Sequence, residues 1–383
     1  MIPSFLLLSS KVTNIKTLIY KAKLIKFYFC QSGNTMKQFL EKWKNWELWP
    51  FWMRYFFITP KWLLYCIRSG SFWFFTPSNP TLTFGGFEGE GKHEMYAQLP
   101  PGSYPQTIYI KPSMTFGEVQ KYIAESGFQY PFIVKPDVGM SGILFRKIEK
   151  EEQLKAYHEH MPAEYLVQAL VDYPIEFSVF YYRYPDQEKG VITGFLQKEP
   201  MHVIGDGINS LLVLIQQHPK AKHRIEELLA WHKERLDLVV PNGQKFYLTL
   251  AANLNRGANF INLHNEIDED LHQVFDQLNL YSKHFFYGRY DLKATSLEDL
   301  KAGKNYLILE YNGSGAEPNH VYNSGYNLRA AHVEILKHWK VLYEISAQNN
   351  AKGIRPWPFM KGWRYLQQAK KHFAELERVD ALV

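Results

Sequence analysis

FYGRYDLKATSLEDLKAGKNYLILEYNGSGAEPNH, residues 286–320, begins and ends in a strand pattern that carries charged and amide side chains at alternate positions. Aromatic and aliphatic runs predict strands over 285–292 and 306–311. Side chains alternate across a strand, so Arg289 and Asp291 share one face, and Glu310 and Asn312 share a face of the second strand. Asp291, Glu310 and Asn312 together offer hard oxygen donors, the set that suits magnesium held with substrate phosphates. A plain Arg289–Asp291 salt bridge and a polar face on a half-exposed strand remain the simpler readings. A buried polar set of this size would need an ion or partners to compensate it.

Upstream, PFIVKPDVGMSG at 131–142 is a β-branched strand that delivers Lys135 to a loop with Gly139, Ser141 and Gly142. A lysine beside a glycine-rich turn can cradle polyphosphate oxygens, although a Lys-Pro at a strand end also reads as a solvated edge. Further strands are predicted over 107–110, 165–169, 176–182 and 191–197. Thr115 and Glu118 form a capping box that opens a helix stopped by Gly127. Other helices are predicted over 149–160, 209–217, 221–236, 267–283 and 326–346, with a loop over 81–106. Short strands at hairpin spacing mixed with helices indicate an α+β fold rather than regular βαβ alternation. The segment 86–92 fits G-x4-G-K, but His93 stands where a phosphate loop needs Ser or Thr, and neither flank fits.

Taken in order, Lys135 with its glycine loop, Asp291, and Glu310-x-Asn312 followed by Pro318 resemble the ATP-grasp superfamily. The arrangement is similar to D-alanine–D-alanine ligase, glutathione synthetase and cyanophycin synthetase. YLVQALVDYPIEFSV at 165–179 resembles the family's hinge strand. HVIGDGINSLLVLI at 202–215 and NLNRGANFINL at 253–263 resemble the cyanophycin-synthetase-like branch. The resemblance covers roughly 107–325. It implies two α+β lobes gripping ATP, with a lid subdomain at about 107–170 inside an ATP-grasp domain at 85–346. It implies that Gln168, Ala169, Leu170 and Val171 border the adenine, and that Glu176 meets the ribose. Lys135 would hold phosphates, with Lys198 as a second cation on the lid-side sheet. Asp291, Glu310 and Asn312 would hold two Mg2+ ions. Arg289 would stabilise the transferring phosphoryl group, and Arg256 is the candidate for a substrate carboxylate or phosphate. A small Rossmann-like domain before the lid is not recognisable, Gln168 stands where the family often has Glu, and Gly313 to Glu317 displace the proline. These departures bear on the acceptor substrate more than on the nucleotide.

The chain has 383 residues, 46% hydrophobic and 21% charged, with a net charge of +6. This composition suits a folded protein with a sizeable core and argues against disorder or a disulfide-stapled miniprotein. The basicity lies at the N-terminal end, because residues 77–383 net −3, so a nucleic-acid partner is not expected. Two cysteines form no metal-spacing pair, and a reducing compartment is the default. Residues 1–35 carry five lysines and no acid, and read as an extension upstream of the true start, with a weak basic anchor as the competing reading, rather than as a signal peptide. Residues 36–84 read as an aromatic helical arm, and six of the ten tryptophans fall within 36–76. Thr59, Pro60 and Gly70 bound a helix of about 15 Å, too short for a bilayer of about 30 Å. Tryptophans with interleaved cations suit a membrane interface, and equally an arm packed on the main domain. Residues 347–383 read as a C-terminal helical extension.

The resemblance implies an ATP-dependent carboxylate–amine ligase that forms an amide bond through an acyl phosphate. Its partners would be a small carboxylate and an amine, and its location cytoplasmic, at the inner face of a membrane if the arm docks there. A phosphotransferase acting on a hydroxyl, and a membrane-surface nucleotide-binding protein without turnover, are the competing classes. His320 reads as a structural histidine or a base, and the histidines other than His202 and His320 read as surface residues.

Overall fold

The computed structural model describes residues 45–140, 142–249, 257–322 and 324–382, so the extension at 1–35, Ser141 and Arg256 lie outside the described residues. The chain divides into two compact units between Phe57 and Ile58. In the first unit, a single 3-10 turn at Trp46–Leu48 precedes a short helix at Phe51–Tyr55, whose end rings stack at 4.4 Å.

The described residues of the second unit hold two larger antiparallel sheets and a two-stranded one. Strands β1 (Thr107–Ile110), β2 (Phe132–Pro136), β3 (Arg146–Ile148) and β4 (Tyr165–Ala169) form the first, in the order β1-β4-β2-β3. Next come β5 (Ile175–Tyr182), β6 (Val191–Glu199), β7 (His202–Ile204), β8 (Lys245–Tyr247), β9 (Asn259–Asn262), β10 (Tyr287–Ala294) and β11 (Tyr306–Asn312). Five of these build the second sheet, in the order β11-β10-β5-β6-β9, and β7 pairs with β8. The architecture is α+β, as the sequence predicts, and every named strand pair runs antiparallel.

Each sheet buries one face for a reason visible in its residues. Phe177, Val179, Tyr181, Tyr290 and Leu292 point to one side of the five-stranded sheet, where the Glu269–Ser282 helix covers them with Leu271, Val274, Phe275 and Leu278. The opposite face is divided. Phe180 and Tyr287 lie under the Leu328–Ala351 helix with Leu342 and Ile345. Glu176, Ser178, Arg289, Asp291 and Lys293 continue the same face at alternate positions, and most of them line an open cleft. The four-stranded sheet packs on the helices Phe116–Glu125 and Glu151–His160. The predicted capping box is formed, with Thr115 Oγ1 accepting from the Glu118 amide at 3.4 Å and the Glu118 carboxylate accepting from the Thr115 amide at 2.7 Å.

Several local expectations change. The segment 81–106 is not all loop, because Thr83–Gly86 is a 3-10 turn and Lys92–Tyr96 a short helix that follows the G-x4-G-K run. The expected helix over 221–236 is broken into the 3-10 turn Ala221–Arg224, the helix Ile225–Trp231 and the 3-10 turn Lys233–Arg235. The helix predicted over 326–346 runs from Leu328 to Ala351, and buried Asn349 in its last turn donates to Pro77 O at 2.8 Å. The C-terminal helix Phe359–Asp380 enters the core of the four-stranded sheet through Ala369, Phe373, Leu376 and Val379. His158 and His338 are buried, against the surface placement expected of them.

The predicted helix at 60–69 is Thr59–Ser69, closed by Gly70 in the left-handed conformation. Its inner side carries Tyr65 and Cys66 into an aromatic cluster with Trp73, Phe74, Phe75 and Phe84. Leu63, Ile67 and Phe72 remain exposed. Among the described residues no helix is long and apolar enough to cross a membrane.

Candidate active site

The cleft has a volume of about 590 Å³ and is lined by residues from both sheets. Its floor is the polar half of the five-stranded sheet. Register places Asp291 opposite Glu310, Arg289 opposite Asn312, and Asp291 opposite Ser178 on the other side. The β10–β11 register slips between Asp291 and Leu292, so a bulge sits beside the Asp291–Glu310 pair. Bulges re-aim side chains and are common next to functional clefts.

Asp291 is the hub of this floor. It accepts from Arg289 Nε at 3.2 Å and Nη2 at 3.1 Å, from Ser178 Oγ at 2.7 Å and from Asn312 Nδ2 at 3.3 Å. Lys198 Nζ lies 3.5 Å from Asp291 and 2.7 Å from Glu176. Burial alone would raise the Asp291 carboxyl, but the Arg289 and Lys198 charges outweigh it and hold the group at about 2. Conversely, burial presses the Lys198 ammonium down while Asp291 and Glu176 raise it further, and the net shift is upward. Lys198 stands on β6 of the five-stranded sheet, which corrects the expected lid-side position.

Lys135 reaches the cleft from β2 of the four-stranded sheet. Burial first, and then the neighbouring Lys92 charge, push its ammonium down to about 7, with Glu310 opposing them. Gly139 and Gly142 line the cleft beyond it. The loop they belong to is held at both ends by the C-terminal helix. His372 Nε2 lies 2.9 Å from Val138 O, and the Leu144 amide donates to Asp380 at 2.8 Å.

At the hinge, Gln168, Ala169, Leu170 and Val171 all border the cleft. The Gln168 side chain is buried and already engaged, donating to Tyr96 Oη and Thr107 Oγ1, each at 2.9 Å. Strand β4 pairs with β1 on one side and β2 on the other, so Gln168 lies inside the sheet ladder and the chain leaves it only beyond Ala169.

The structure adds residues that the sequence reading missed. The run Gly86 to Lys92, set aside as a false phosphate loop, forms a wall of the cleft. Lys92 is buried with its Nζ 3.5 Å from Glu310 Oε1, and burial raises the Glu90 carboxyl to about 7. The glycines of this wall serve packing. A Cβ on Gly315 would lie 2.0 Å from Phe87 O, and one on Gly313 2.8 Å from Gly85 O. Amides of Ser314 and Gly315 donate to Gly85 O and Gly86 O at 3.1 and 3.0 Å. Two glycine-rich loops thus lie back to back, which accounts for the Gly313–Glu317 insertion before Pro318. Lys293 also lines the cleft, and its position two residues after Asp291 was a visible signal for it.

For a divalent cation, the donor set fits in kind. Asp291 is ionised, Glu310 faces it across the register, and Asn312 keeps its amide oxygen free while its Nδ2 donates to Asp291. Arg289 currently spans both Asp291 oxygens, so a cation there would require Arg289 to turn toward another anion.

No protein-family model matches the chain, and no curated protein matches it. Among solved structures it is similar to a bifunctional glutathione synthetase from Pasteurella multocida, at 17% identity and a TM-score of 0.37, over 65% of this chain and 34% of that one. It is similar to the VanG D-Ala:D-Ser ligase from Enterococcus faecalis, at 14% identity and 0.35, over 63% and 57%. D-alanine–D-alanine ligase from Bacillus anthracis aligns at 13% identity and 0.38, over 68% of each chain. The chain therefore spans about a third of the glutathione synthetase and little more than half of the VanG ligase. At such identities and TM-scores the likeness decides nothing by itself.

Proposed function

We propose that the protein is an ATP-grasp carboxylate–amine ligase whose cleft binds Mg·ATP between its two sheets. The observation that carries this reading is the convergence of Lys135 from one sheet with Asp291, Glu310, Asn312, Arg289 and Lys198 from the other around one cleft. The hinge backbone at 168–171 would border the adenine, and Glu176 the ribose. Lys135 and Lys198 would hold the phosphates. Asp291, Glu310 and Asn312 would hold Mg2+, two ions in all, which neutralise charge on the β- and γ-phosphates. Arg289, released from Asp291, would stabilise the transferring phosphoryl group. A carboxylate oxygen attacks the γ-phosphorus and ADP leaves. An amine nitrogen then attacks the acyl carbon, loses a proton, and inorganic phosphate leaves. Lys92 and Glu90, on the Gly86–Lys92 wall of the cleft, would meet the acceptor, and Arg256 keeps its proposed role toward a substrate carboxylate or phosphate.

The domain reading that goes with this has the lid at about 107–170 within 85–346, preceded by the arm at 36–84 and followed by 347–383. Exposed Leu63, Ile67 and Phe72 with the cations Lys61 and Arg68 support a second role for the arm, peripheral contact with an anionic membrane face. ADP release in a screen of carboxylates and amines tests the main reading. Release that depends on both an added carboxylate and an added amine is expected. Release with a hydroxyl acceptor alone would replace the ligase with a phosphotransferase.

A further inference from the structure

Behind the cleft, outside the proposed nucleotide site, His320, Glu334 and His338 converge. His320 belongs to the 3-10 turn Asn319–Val321, while Glu334 and His338 lie one turn apart on the Leu328–Ala351 helix. Their nearest ligand atoms all lie within 4.8 Å of one another. Glu334 Oε1 is 3.6 Å from His320 Nε2 and 3.8 Å from His338 Nε2. Those separations are too long for hydrogen bonds. Two ligands on one zinc ion at bonds of about 2.0–2.1 Å stand about 3.3–3.4 Å apart in a tetrahedron. Both separations from Glu334 Oε1 are therefore within about half an ångström of that spacing, and the two histidine nitrogens lie within 4.8 Å of each other.

The second observation is the state of the imidazoles. His320 is 5% exposed and His338 2%. Neither nitrogen of His320 nor Nε2 of His338 has a hydrogen-bond partner. Buried polar atoms left in this way call for an explanation such as an ion. His338 Nδ1 lies 3.3 Å from Tyr287 Oη. With its proton on Nδ1 donated to that oxygen, His338 leaves the Nε2 lone pair facing the cluster, the usual support for a metal-bound histidine. Lys337 occupies the other carboxylate oxygen, Oε2, at 3.0 Å and leaves Oε1 to the histidines.

We propose that His320, Glu334 and His338 form a binding site for a divalent transition cation of the zinc class, separate from the magnesium site. Two nitrogens and one oxygen select such a cation over magnesium or calcium, which take all-oxygen shells. The site ties the turn that carries Asn319 to the long helix. Asn319 in turn donates to Ser178 Oγ at 2.9 Å, and Ser178 donates to Asp291. The cation is thus a structural clamp one residue behind the cleft wall.

The test uses the full chain, purified without a histidine tag or chelator and kept in excess Mg2+ to fill the oxygen site. Elemental analysis should find about one zinc-class ion per chain. After chelation, Co2+ should restore a visible absorption band of low-coordinate cobalt, and Zn2+ should raise the melting temperature. His338→Gln and Glu334→Gln should lose the band and the thermal shift, whereas Asp291→Asn should keep both. His320→Gln serves if either variant fails to fold by circular dichroism. Absence of the ion, the band and the thermal shift from the wild-type protein overturns the proposal. So does a band that survives in a folded His338→Gln variant.

Discussion

If the cleft binds nucleotide as proposed, Lys135 should make that binding a proton-coupled event, and the size of the coupling follows from its surroundings. Its ammonium is held at about 7, by burial first and by Lys92 second. At pH 8 about nine-tenths of the free protein therefore carries a neutral Lys135. A polyphosphate placed against it favours the charged form and raises its pKa. Binding at pH 8 should then take up about 0.9 proton, and the dissociation constant should rise about tenfold between pH 8 and 9. The sign for stability of the free protein agrees. The folded pKa lies below the unfolded one, so burial of Lys135 costs most at or below pH 7, and the cost fades as pH rises toward 10.5.

Isothermal titration of a non-hydrolysable Mg·ATP analogue, in buffers of different ionisation enthalpy, reads the proton number directly. Glu90 also titrates near 7 in the cleft, so variants must assign the proton. Lys135→Arg carries a permanent charge and should bind without the uptake, while Glu90→Gln should retain most of it. Lys92→Met removes the neighbouring cation and should move the pH dependence upward. Heats that do not change with buffer, or uptake that persists in Lys135→Arg, would refute the reasoning.

Glu310→Gln should abolish ADP release while the protein remains folded by circular dichroism, although it removes the carboxylate facing buried Lys92; normal turnover by that variant would remove it from the cation site. Gly315→Ala would drive a methyl into Phe87 O and should cost about 1–3 kcal/mol in urea unfolding, with a raised KM from the displaced wall. If the arm meets lipid, full-length protein should float with anionic liposomes at low salt, and Ile67→Glu with Phe72→Glu should stop it without lowering the melting temperature. Deletion of 36–76 is a poor substitute, since it removes Tyr65, Trp73, Phe74 and Phe75 from a buried cluster and should unfold the second unit.

What the chain order alone determined was the strand pattern and, through its period of two, which polar residues share a face. Arg289 with Asp291, Glu310 with Asn312, and the capping box at Thr115 are local facts, because neighbours two to four residues apart have little freedom in a strand or helix start. Pairing partners were beyond that reach. Only the folded sheet sets Asp291 opposite Glu310 and Ser178, moves Lys198 to β6, and brings Lys92 to Glu310 across more than two hundred residues. The glycines at 85–91 were hidden for the same reason: the phosphate-loop match was rightly set aside, but close backbone contact of Gly85, Gly86 and Phe87 with Gly313 and Gly315 shows only in the fold. The buried His320–Glu334–His338 cluster was equally hidden. A histidine's burial depends on what the rest of the chain lays over it, and the Leu328–Ala351 helix and the 319–321 turn meet only when the sheet beneath them is complete.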